Sequence, residues 1–240
     1  MKIIRMLEPA EINEKLVRVG SQNNGGYLLP GSALQQDVLV SPGVSWNSSF
    51  ECTFADNGAV CHLFDASVEG PATEHKNFVF HKAFWGSTNT THTIDAAEWI
   101  SENIHSAKSN ALQMDIEGAE LEVVASLAHG ALEKFKTIVI EVHSFQKVLD
   151  PKFSIEYLAF FQKLCEAHVV VHFHVNNNIR PVKYHGIEIP DCFELTLLRQ
   201  DYDCFSGVKR GFDLHPFDTP CVADEEEVQI NWGEVLRLAH

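Results

Sequence analysis

Three carboxylates stand within six residues, at Asp115, Glu117 and Glu120. The apolar segment 111–114 before them favours a strand, and the residues after them favour a helix. In an open α/β sheet, ligands bind at the carboxyl ends of the strands, so Asp115 and Glu117 are well placed to take a proton or to hold a cation. Glu117 and Glu120 also have a structural interpretation, because acidic side chains stabilise a helix N-terminus by up to about 1 kcal/mol each.

Histidines supply further candidates for a general base. The chain has 13 of them, and His143 and His174 differ from the rest because each lies at the end of a strand predicted to finish near Asp115. Histidine titrates near neutrality, so Asp115, His143 and His174 are the predicted catalytic residues, with Glu141 as a further candidate base. Asp115, Glu117, His143 and His174 could also form a mixed oxygen and nitrogen site for Mg²⁺ or Mn²⁺. A metal is kept as an alternative and is not predicted.

Strand-like apolar segments alternate with helix-like or turn-rich segments, which is typical of an α/β fold with a largely parallel sheet. Seven strands are predicted, at residues 37–40, 60–64, 77–84, 111–114, 137–142, 168–174 and 193–199. Helices are predicted at residues 48–56, 93–105, 119–128 and 154–167. A turn-rich loop separates the last two strands, which predicts an antiparallel hairpin that closes the sheet. The pattern also predicts that Asp65, Asp115 and His143 lie at one common edge of the sheet.

The first strand-to-helix turn carries Gly43, which allows a ligand to approach the backbone closely. This turn lacks the G-x-G-x-x-G pattern, and its absence counts against NAD or FAD as the cofactor. The second strand ends at Asp65, 22 positions after Gly43. An acid at that spacing can accept hydrogen bonds from both hydroxyls of a ribose. The alternative is that Asp65 caps the N-terminus of a helix.

The formal net charge of −15, from 33 acidic and 18 basic residues, disfavours nucleic acid and anionic lipid as partners. A small or carbohydrate substrate fits this charge better. No apolar segment reaches the roughly 18 residues that span a bilayer, and the first residues soon become too polar for a secretion signal. Six cysteines without a C-x-x-C pair or metal-ligand spacing predict reduced thiols and a cytoplasmic protein.

Several motifs in the chain resemble those of the FkbM-like methyltransferases, which use S-adenosylmethionine. Residues 114–120 resemble the K-x-D-x-E-G-x-E motif of that family. Residues 18–28, 41–51 and 173–196 resemble, in the expected order, the R-x-G … D-G-G-Y, G-x-x-x-D-x-S-F-E and H-x-N-N … P-x-x-x-E-L-T motifs of a branch close to it. The chain departs from these patterns at Asn24, Ser41-Pro42 and Asn47. The resemblance implies a Rossmann-like methyltransferase fold with a seven-stranded, mostly parallel sheet and a C-terminal antiparallel hairpin.

The resemblance also implies an S-adenosylmethionine site. The residues predicted to bind the cofactor are Gly43, Val44, Ser45, Glu51, Asp65, Ala66, Ala83, Phe84 and Met114. Asp65 is expected on the ribose, and Met114 is expected beside the methionine part. The adenine is expected beside Ala66, Ala83 and Phe84. Glu51 is expected either to hold the cofactor's ammonium or to pair with Arg18. The predicted substrate-binding residues are Tyr27, Glu117 and Asn176.

Together these features predict an S-adenosylmethionine-dependent methyltransferase that acts on a hydroxyl of a saccharide, a glycoconjugate or a related small metabolite. Two other classes stay open. The first is a non-catalytic Rossmann-like cofactor-binding or assembly protein, which the departures from the motifs favour. The second is a metal-dependent hydrolase that uses the carboxylates and histidines described above. The oligomeric state is also open, and a homodimer is one option.

One methyltransferase domain is predicted over residues 1–240, with an N-terminal cap segment at 1–35 and a C-terminal tail at 205–240. The tail carries an acidic run at residues 224–227, and blocks of like charge usually stay in water. We therefore expect a solvated arm. The alternative is a packing or oligomer contact through Trp232 and Leu236.

Overall fold

The computed structural model describes residues 1–202 and 204–238, and within them helices and strands alternate along the chain. The α-helices are α1 (Lys2–Leu7), α2 (Ser49–Asp56), α3 (Ala96–Asn103), α4 (Glu120–Ser126), α5 (Pro151–Leu164) and α6 (Trp232–Leu238). The strands are β1 (Ala10–Ile12), β2 (Leu16–Gly20), β3 (Gly26–Pro30), β4 (Val38–Pro42), β5 (Val60–Phe64), β6 (Phe78–His81), β7 (Phe84–Gly86), β8 (Thr93–Asp95), β9 (Asn110–Met114), β10 (Thr137–Val142), β11 (His168–Val175), β12 (Val182–Tyr184), β13 (Ile187–Ile189), β14 (Phe193–Arg199) and β15 (Phe205–Lys209). Short 3-10 helices occupy Gly31–Leu34, Leu132–Lys134 and Phe145–Leu149.

Seven of these strands form a central sheet in the order β11-β14-β10-β9-β4-β5-β6. The neighbours from β10 to β6 pair in parallel, and β14 runs antiparallel to both β10 and β11. The predicted fold class is therefore confirmed, including the antiparallel pair near the C-terminus. Between the strands of that pair the chain forms a separate small hairpin, β12–β13, where the sequence pattern indicated a loop.

Parallel pairing brings the carboxyl ends of β4, β5, β9 and β10 to one edge of the sheet. Asp65 directly follows β5, Asp115 directly follows β9, and His143 directly follows β10. The three residues thus lie at one common edge, as the alternating pattern predicted.

The predicted third strand and the helix after it are both shorter than expected. The segment 77–84 divides between β6 and the start of β7, and β7 pairs in parallel with β8. β8 takes the first residues of the predicted helix 93–105, because the β-branched Thr93 and Ile94 favour a strand. Asp95 then caps α3, and its carboxylate accepts hydrogen bonds from two backbone N–H groups.

Two hydrophobic cores lie on the two faces of the central sheet. Side chains from α1, α3, α4, α5 and α6 cover one face, whereas α2 and the β2–β3 hairpin cover the other. Successive residues of β9 alternate between the two cores, because neighbouring side chains in a strand point to opposite faces. Leu112 and Met114 pack into the helical core, and Ala111 packs into the other. The prediction that Met114 faces the cofactor is therefore wrong.

The C-terminal tail packs on the molecule, so the prediction of a solvated arm is also wrong. Val228, Ile230 and Trp232 are buried and alternate with more polar residues, which places one side of this segment against the helical core. Trp232 is fully buried, and its indole Nε1 donates to the Glu188 carbonyl over 2.6 Å. Leu236 is buried as well. The tail thus makes the packing contact through Trp232 and Leu236, while Asp224, Glu225 and Glu226 of its acidic run stay exposed.

None of the helices in the described part of the chain is long and apolar enough to cross a membrane. No disulfide joins any of the six cysteines, all of which lie in the described ranges.

Candidate active site

A cavity of about 770 Å³ opens where β4, β5 and β9 end. In the sheet, β4 has β5 as its neighbour on one side and β9 on the other. The chain builds the sheet outwards from β4 first in one direction and then in the other, so the strand order reverses at this point. Open α/β sheets bind ligands in the crevice at such a switch point. Residues lining the cavity include Tyr27, Gly43, Val44, Ser45, Trp46, Asn47, Phe50, Glu51, Asp65, Ser67, Phe84, Trp85, Thr88, Gln113, Asp115, Glu117 and Glu122.

The turn after β4 requires a glycine at Gly43. Its φ angle is +90°, and a Cβ atom there would lie 1.5 Å from the backbone oxygen of Asp115. The absence of a side chain lets the turn pack directly on the end of β9. The next residues, Val44 and Ser45, then line the cavity with Gly43, as the resemblance implied.

Asp65 holds this turn in place from the end of β5. Its Oδ2 atom accepts a 2.7 Å hydrogen bond from the backbone N–H of Ser45, and its Oδ1 atom accepts from the backbone N–H and the hydroxyl of Ser67. Oδ1 thus has both lone pairs occupied, whereas Oδ2 can accept one further bond, and the side chain lines the cavity. The alternative that Asp65 caps a helix is wrong, because the chain continues from Asp65 as an irregular segment.

Glu51 presents an unpartnered oxygen at the cavity. Its Oε1 atom lies 2.5 Å from the Ser41 hydroxyl, but its buried Oε2 atom has no hydrogen-bond partner. Burial raises the pKa of Glu51 to about 7, against the lowering effect of the hydrogen bond from Ser41. The expected pairing with Arg18 is wrong, since that guanidinium donates to the backbone oxygens of Ser21 and Asn23. Arg18 instead stabilises the turn of the β2–β3 hairpin to which it belongs.

Asp115 and His143 face each other across the ends of β9 and β10. His143 Nε2 lies 3.7 Å from Asp115 Oδ1, and His143 Nδ1 lies 2.9 Å from Glu120 Oε1. Burial opposes protonation of the imidazole, but the hydrogen bond and charge of Glu120, with the charges of Glu141 and Asp115, raise the pKa of His143 to about 9. These contacts favour the imidazolium form of His143. A group that already carries its proton cannot accept another, so Asp115 is the better candidate base.

Burial and the negative charge of Glu141 raise the pKa of Asp115 well above its ordinary value, while the charge of His143 works in the opposite direction. A carboxyl group with a raised pKa is a stronger base than an ordinary carboxylate, and enzymes use such groups for proton transfer near neutrality. The Oδ1 atom of Asp115 is buried and has no hydrogen-bond partner. The side chain lines the cavity and is available to a ligand there.

Glu117 and Glu120, which the sequence suggested for either a ligand site or a helix N-terminus, differ in their surroundings. Glu120 is fully buried, and its Oε1 atom accepts from the backbone N–H groups of Ile116 and Gly118. It therefore stabilises the turn and orients His143. Glu117 has a positive φ of 55° and a side chain that is 87% exposed at the cavity mouth. It is placed to meet an acceptor, and Tyr27 lines the cavity too.

Six predicted site residues do not line the cavity, and two of them, Met114 and His143, are described above. His174 is on the edge strand β11, three strand spacings or roughly 14 Å from β9. It is enclosed by other side chains, so its assignment as a catalytic base is wrong. Asn176 donates 2.7 Å to Glu141 Oε1 and is not part of the cavity lining. Ala66 and Ala83 do not line it either, whereas Phe84, next to Ala83, does.

Sequence reasoning missed several residues that line the cavity. Gln113 could have been found, because strand alternation places it on the same face as Asp115. Its amide donates to the Tyr27 hydroxyl over 3.4 Å. Trp46, which is 83% exposed at the cavity, and the loop from Trp85 to Thr93 carried no signal of this kind. The position of the loop depends on the pairing of β7 with β8, which local patterns do not specify.

A sequence profile of the methyltransferase FkbM domain matches residues 57–171, just under half of the chain. The resemblance to FkbM-like methyltransferases is thereby confirmed for this part of the chain. The match includes Asp65, Asp115 and His143, and it excludes the motifs near residues 18–51 and 173–196. No curated protein sequence is similar enough to the chain to count as a match.

Several solved structures resemble the chain at low sequence identity. One, of a fibrillarin/Nop5p complex, has 12% identity and a TM-score of 0.41, over 69% of this chain and 73% of that one. A candidate S-adenosylmethionine-dependent methyltransferase from Listeria monocytogenes has 11% identity and a TM-score of 0.38, over 72% of this chain and 93% of that one. A protein from Streptococcus thermophilus described as a candidate hemolysin has 12% identity and a TM-score of 0.38, over 90% of this chain and 78% of that one.

Proposed function

Because residues 57–171 match the methyltransferase FkbM domain, we propose that the protein transfers a methyl group from S-adenosylmethionine to a hydroxyl of a saccharide, a glycoconjugate or a related small metabolite. The observation that carries this proposal is the cavity at the switch point of the sheet. The Gly43 turn forms one of its walls, and Asp65 and Asp115 lie at the two strand ends that flank this turn.

The residues of the cavity fit the cofactor. Gly43 leaves space for close approach to the backbone, and Asp65 has free acceptor capacity for a ribose hydroxyl. The unpartnered Oε2 atom of Glu51 suits the ammonium of the methionine part, because a buried carboxylate gains most from a charged donor. When bound, S-adenosylmethionine would supply a methyl group on a sulfonium and would leave as the neutral thioether.

The charge of the cavity favours a neutral acceptor. Five carboxylates line it, those of Glu51, Asp65, Asp115, Glu117 and Glu122, and no Lys, Arg or His of the described chain does. Such a lining repels phosphate or carboxylate groups. Trp46 and Phe84 add exposed apolar surface to the lining, and pockets of this kind combine aromatic surface with a few polar groups. An uncharged sugar has both matching apolar faces and hydroxyl groups.

In the proposed reaction, the acceptor oxygen forms the new bond to the methyl carbon as the bond from that carbon to sulfur breaks. The hydroxyl proton passes to Asp115, whose carboxylate faces the cavity. His143 does not take this proton. It holds Asp115 in place and balances the negative charge around it.

A transfer assay tests the proposal. The protein is incubated with S-adenosylmethionine labelled in its methyl group and with a panel of neutral mono- and oligosaccharides and glycoconjugates. We expect label in a hydroxyl ether of at least one acceptor. A protein that binds the cofactor but labels nothing in the panel or in small-molecule extracts would support the non-catalytic alternative. Hydrolysis that depends on a metal, without cofactor binding, would support the hydrolase.

We propose as an alternative that the site around Asp115 binds a divalent metal ion. Ligand atoms of Asp115, Glu117 and His143 lie within 4.8 Å of one another, whereas His174 lies elsewhere. Activity that a chelator abolishes and Mg²⁺ or Mn²⁺ restores would favour this arrangement over the metal-free one.

We further propose that the protein works in the cytoplasm as one domain. The six cysteines without disulfides support the first point. For the second, Ala10 of the N-terminal cap segment pairs with Lys209 of the C-terminal tail, so both segments contact each other beside the sheet. A homodimer stays one option for its assembly.

Replacing Glu51 by Gln should make the protein more stable at pH 8 and weaken cofactor binding there. The pKa of Glu51 rises from 4.5 to about 7 on folding, so ionising it in the folded state costs up to about 3 kcal/mol. This raised pKa means that stability is lost as the pH climbs from about 4.5 to about 7. Chemical denaturation of wild type and Glu51→Gln at pH 5 and pH 8 measures it. A variant that is no more stable at pH 8, or that binds the cofactor equally well, contradicts the assignment.

Replacing His143 by Gln should move the ascending limb of the kcat–pH profile to higher pH. The charge of His143 lowers the pKa of Asp115 across 3.7 Å, and Asp115 accepts the acceptor's proton only as a carboxylate. Profiles at saturating cofactor and acceptor measure the apparent pKa of this coupled pair. A wild-type limb centred near pH 9, lost entirely in the variant, would instead identify His143 as the base.

A further inference from the structure

A second cluster of polar side chains lies away from the cavity, between the sheet and the C-terminal tail. It consists of His174 on β11, Glu194 on β14 and Cys221 in the tail, and we call it the His–Glu–Cys cluster. All three side chains are buried. The methyl-transfer proposal uses none of them. Polar groups of this kind are costly to bury, so their grouping needs a reason.

The geometry of the His–Glu–Cys cluster matches that of a tetrahedral metal site. One ligand atom from each side chain can be chosen so that all lie within 4.8 Å of one another. His174 Nδ1 lies 3.1 Å from Glu194 Oε2, and Cys221 Sγ lies 3.4 Å from Glu194 Oε1. Neighbouring ligand atoms of tetrahedral zinc lie about 3.3–3.6 Å apart, given bonds of about 2.0–2.3 Å. Small side-chain movements would close the cluster around an ion.

A fourth side chain occupies the place of an outer-shell partner. Glu227 Oε1 accepts a 2.6 Å hydrogen bond from Nε2 of His174, on the far side of the ring from Glu194. Histidines that bind a metal through one nitrogen commonly donate their other N–H to a carboxylate in this way. The tail thus supplies both a ligand, Cys221, and the carboxylate that orients His174.

The charge around the cluster also calls for a cation. Glu194 is directly opposite Glu141 on β10, and both are buried. In the described part of the chain, no Lys or Arg forms an ion pair or hydrogen bond with Glu141, Glu194 or Glu227. His174 contacts both Glu194 and Glu227. Burying these carboxylates is unfavourable unless a metal ion, or a proton that makes His174 an imidazolium, offsets their charge.

We infer that His174, Glu194 and Cys221 bind a transition metal, most readily Zn²⁺. Imidazole nitrogen, thiolate sulfur and carboxylate oxygen form a donor set that zinc accepts. Binding releases two protons to solvent, the thiol proton of Cys221 and the Nδ1 proton of His174, and a water molecule or the second Glu194 oxygen completes the coordination. The ion fastens the tail to the two antiparallel strands of the sheet. This inference does not rest on the proposed methyltransferase activity.

Cobalt titration of the full-length protein tests the inference, since a Co²⁺–thiolate bond gives a near-ultraviolet charge-transfer band. The protein is first treated with chelator and kept reduced. We expect the band to saturate at one Co²⁺ per chain, and we expect Zn²⁺ to displace it. Cys221→Ser should abolish the band. Glu227→Gln should keep it but weaken Co²⁺ binding about 10–100-fold, the usual effect of losing an outer-shell partner.

Cys192→Ser is the matched control, because Cys192 is another buried thiol beside a carboxylate, 2.8 Å from Glu141 Oε1. This variant should keep the band. Far-ultraviolet circular dichroism checks that every variant folds, and the metal content of the wild-type protein before chelation provides a second readout of about one zinc per chain. No band in the wild type, a band that survives Cys221→Ser, or a band lost in Cys192→Ser would overturn the inference. If the wild-type protein shows no band, His174 is instead an imidazolium that pairs with Glu194 and Glu227.

Discussion

Replacing Asp115 by Asn should lower kcat for methyl transfer by about 10²–10⁴-fold, the range for losing a general base. Asp115 faces the cavity from the end of β9, with a buried Oδ1 atom that no other group satisfies. The amide has nearly the same shape but cannot take up the hydroxyl proton. Cofactor binding should change much less, because the ribose and ammonium contacts are proposed for Asp65 and Glu51. Steady-state kinetics and calorimetry on the same preparation separate the two effects.

Asp56→Asn is a control for this experiment. Asp56 is another aspartate, with a side chain that is 73% exposed, and it does not line the cavity. Its substitution should leave kcat unchanged. Near-normal turnover of Asp115→Asn on the true acceptor would mean that Asp115 serves the fold and not the reaction.

Replacing Asp65 by Ala should weaken S-adenosylmethionine binding by about 1.5–3 kcal/mol, or roughly 10–150-fold in the dissociation constant. Hydrogen bonds to charged acceptors have this value, and the substitution removes the carboxylate that is proposed to accept from the ribose. It also removes the bond from the Ser45 N–H, so the Gly43 turn loses a fastening point. Both consequences act in the same direction.

Ser67→Ala is a milder change that affects the hydrogen bonds between Asp65 and the loop. It removes one hydrogen bond to Asp65 Oδ1, from the Ser67 hydroxyl, and keeps the carboxylate at the cavity. We expect it to weaken cofactor binding far less than Asp65→Ala does. Equal losses in the two variants would show that Asp65 acts by holding the loop, and an unchanged dissociation constant in a folded Asp65→Ala would remove it from the site.

Much of the fold could be predicted from the sequence, because its strands are nearly continuous apolar runs. β5, β10 and β14 begin and end where the apolar pattern does. The C-terminal tail was harder. Its acidic run at residues 224–227 has a strong local signal for solvent, whereas the burial of Trp232 depends on contacts with distant strands.

Local sequence patterns identified the site residues that lie at strand ends. They failed for residues whose place relative to the cavity depends on long-range packing. Gly43, Asp65 and Asp115 line one cavity because parallel strands end together. The family resemblance implied a place for Met114 beside the methionine part of the cofactor, although strand alternation directs its side chain into the helical core. His174 also ends a strand, but the strand order places β11 at the far edge of the sheet. Strand order is a long-range property that no local pattern contains.

The measurement that tests the central claim most directly is a calorimetric titration of S-adenosylhomocysteine into the wild-type protein. This product carries the ribose and amino-acid groups that Asp65 and Glu51 are proposed to hold. We predict binding at one site per chain, with affinity reduced in Asp65→Ala. A folded protein that binds none at concentrations up to about 1 mM, the top of the usual range for substrates, would contradict the account.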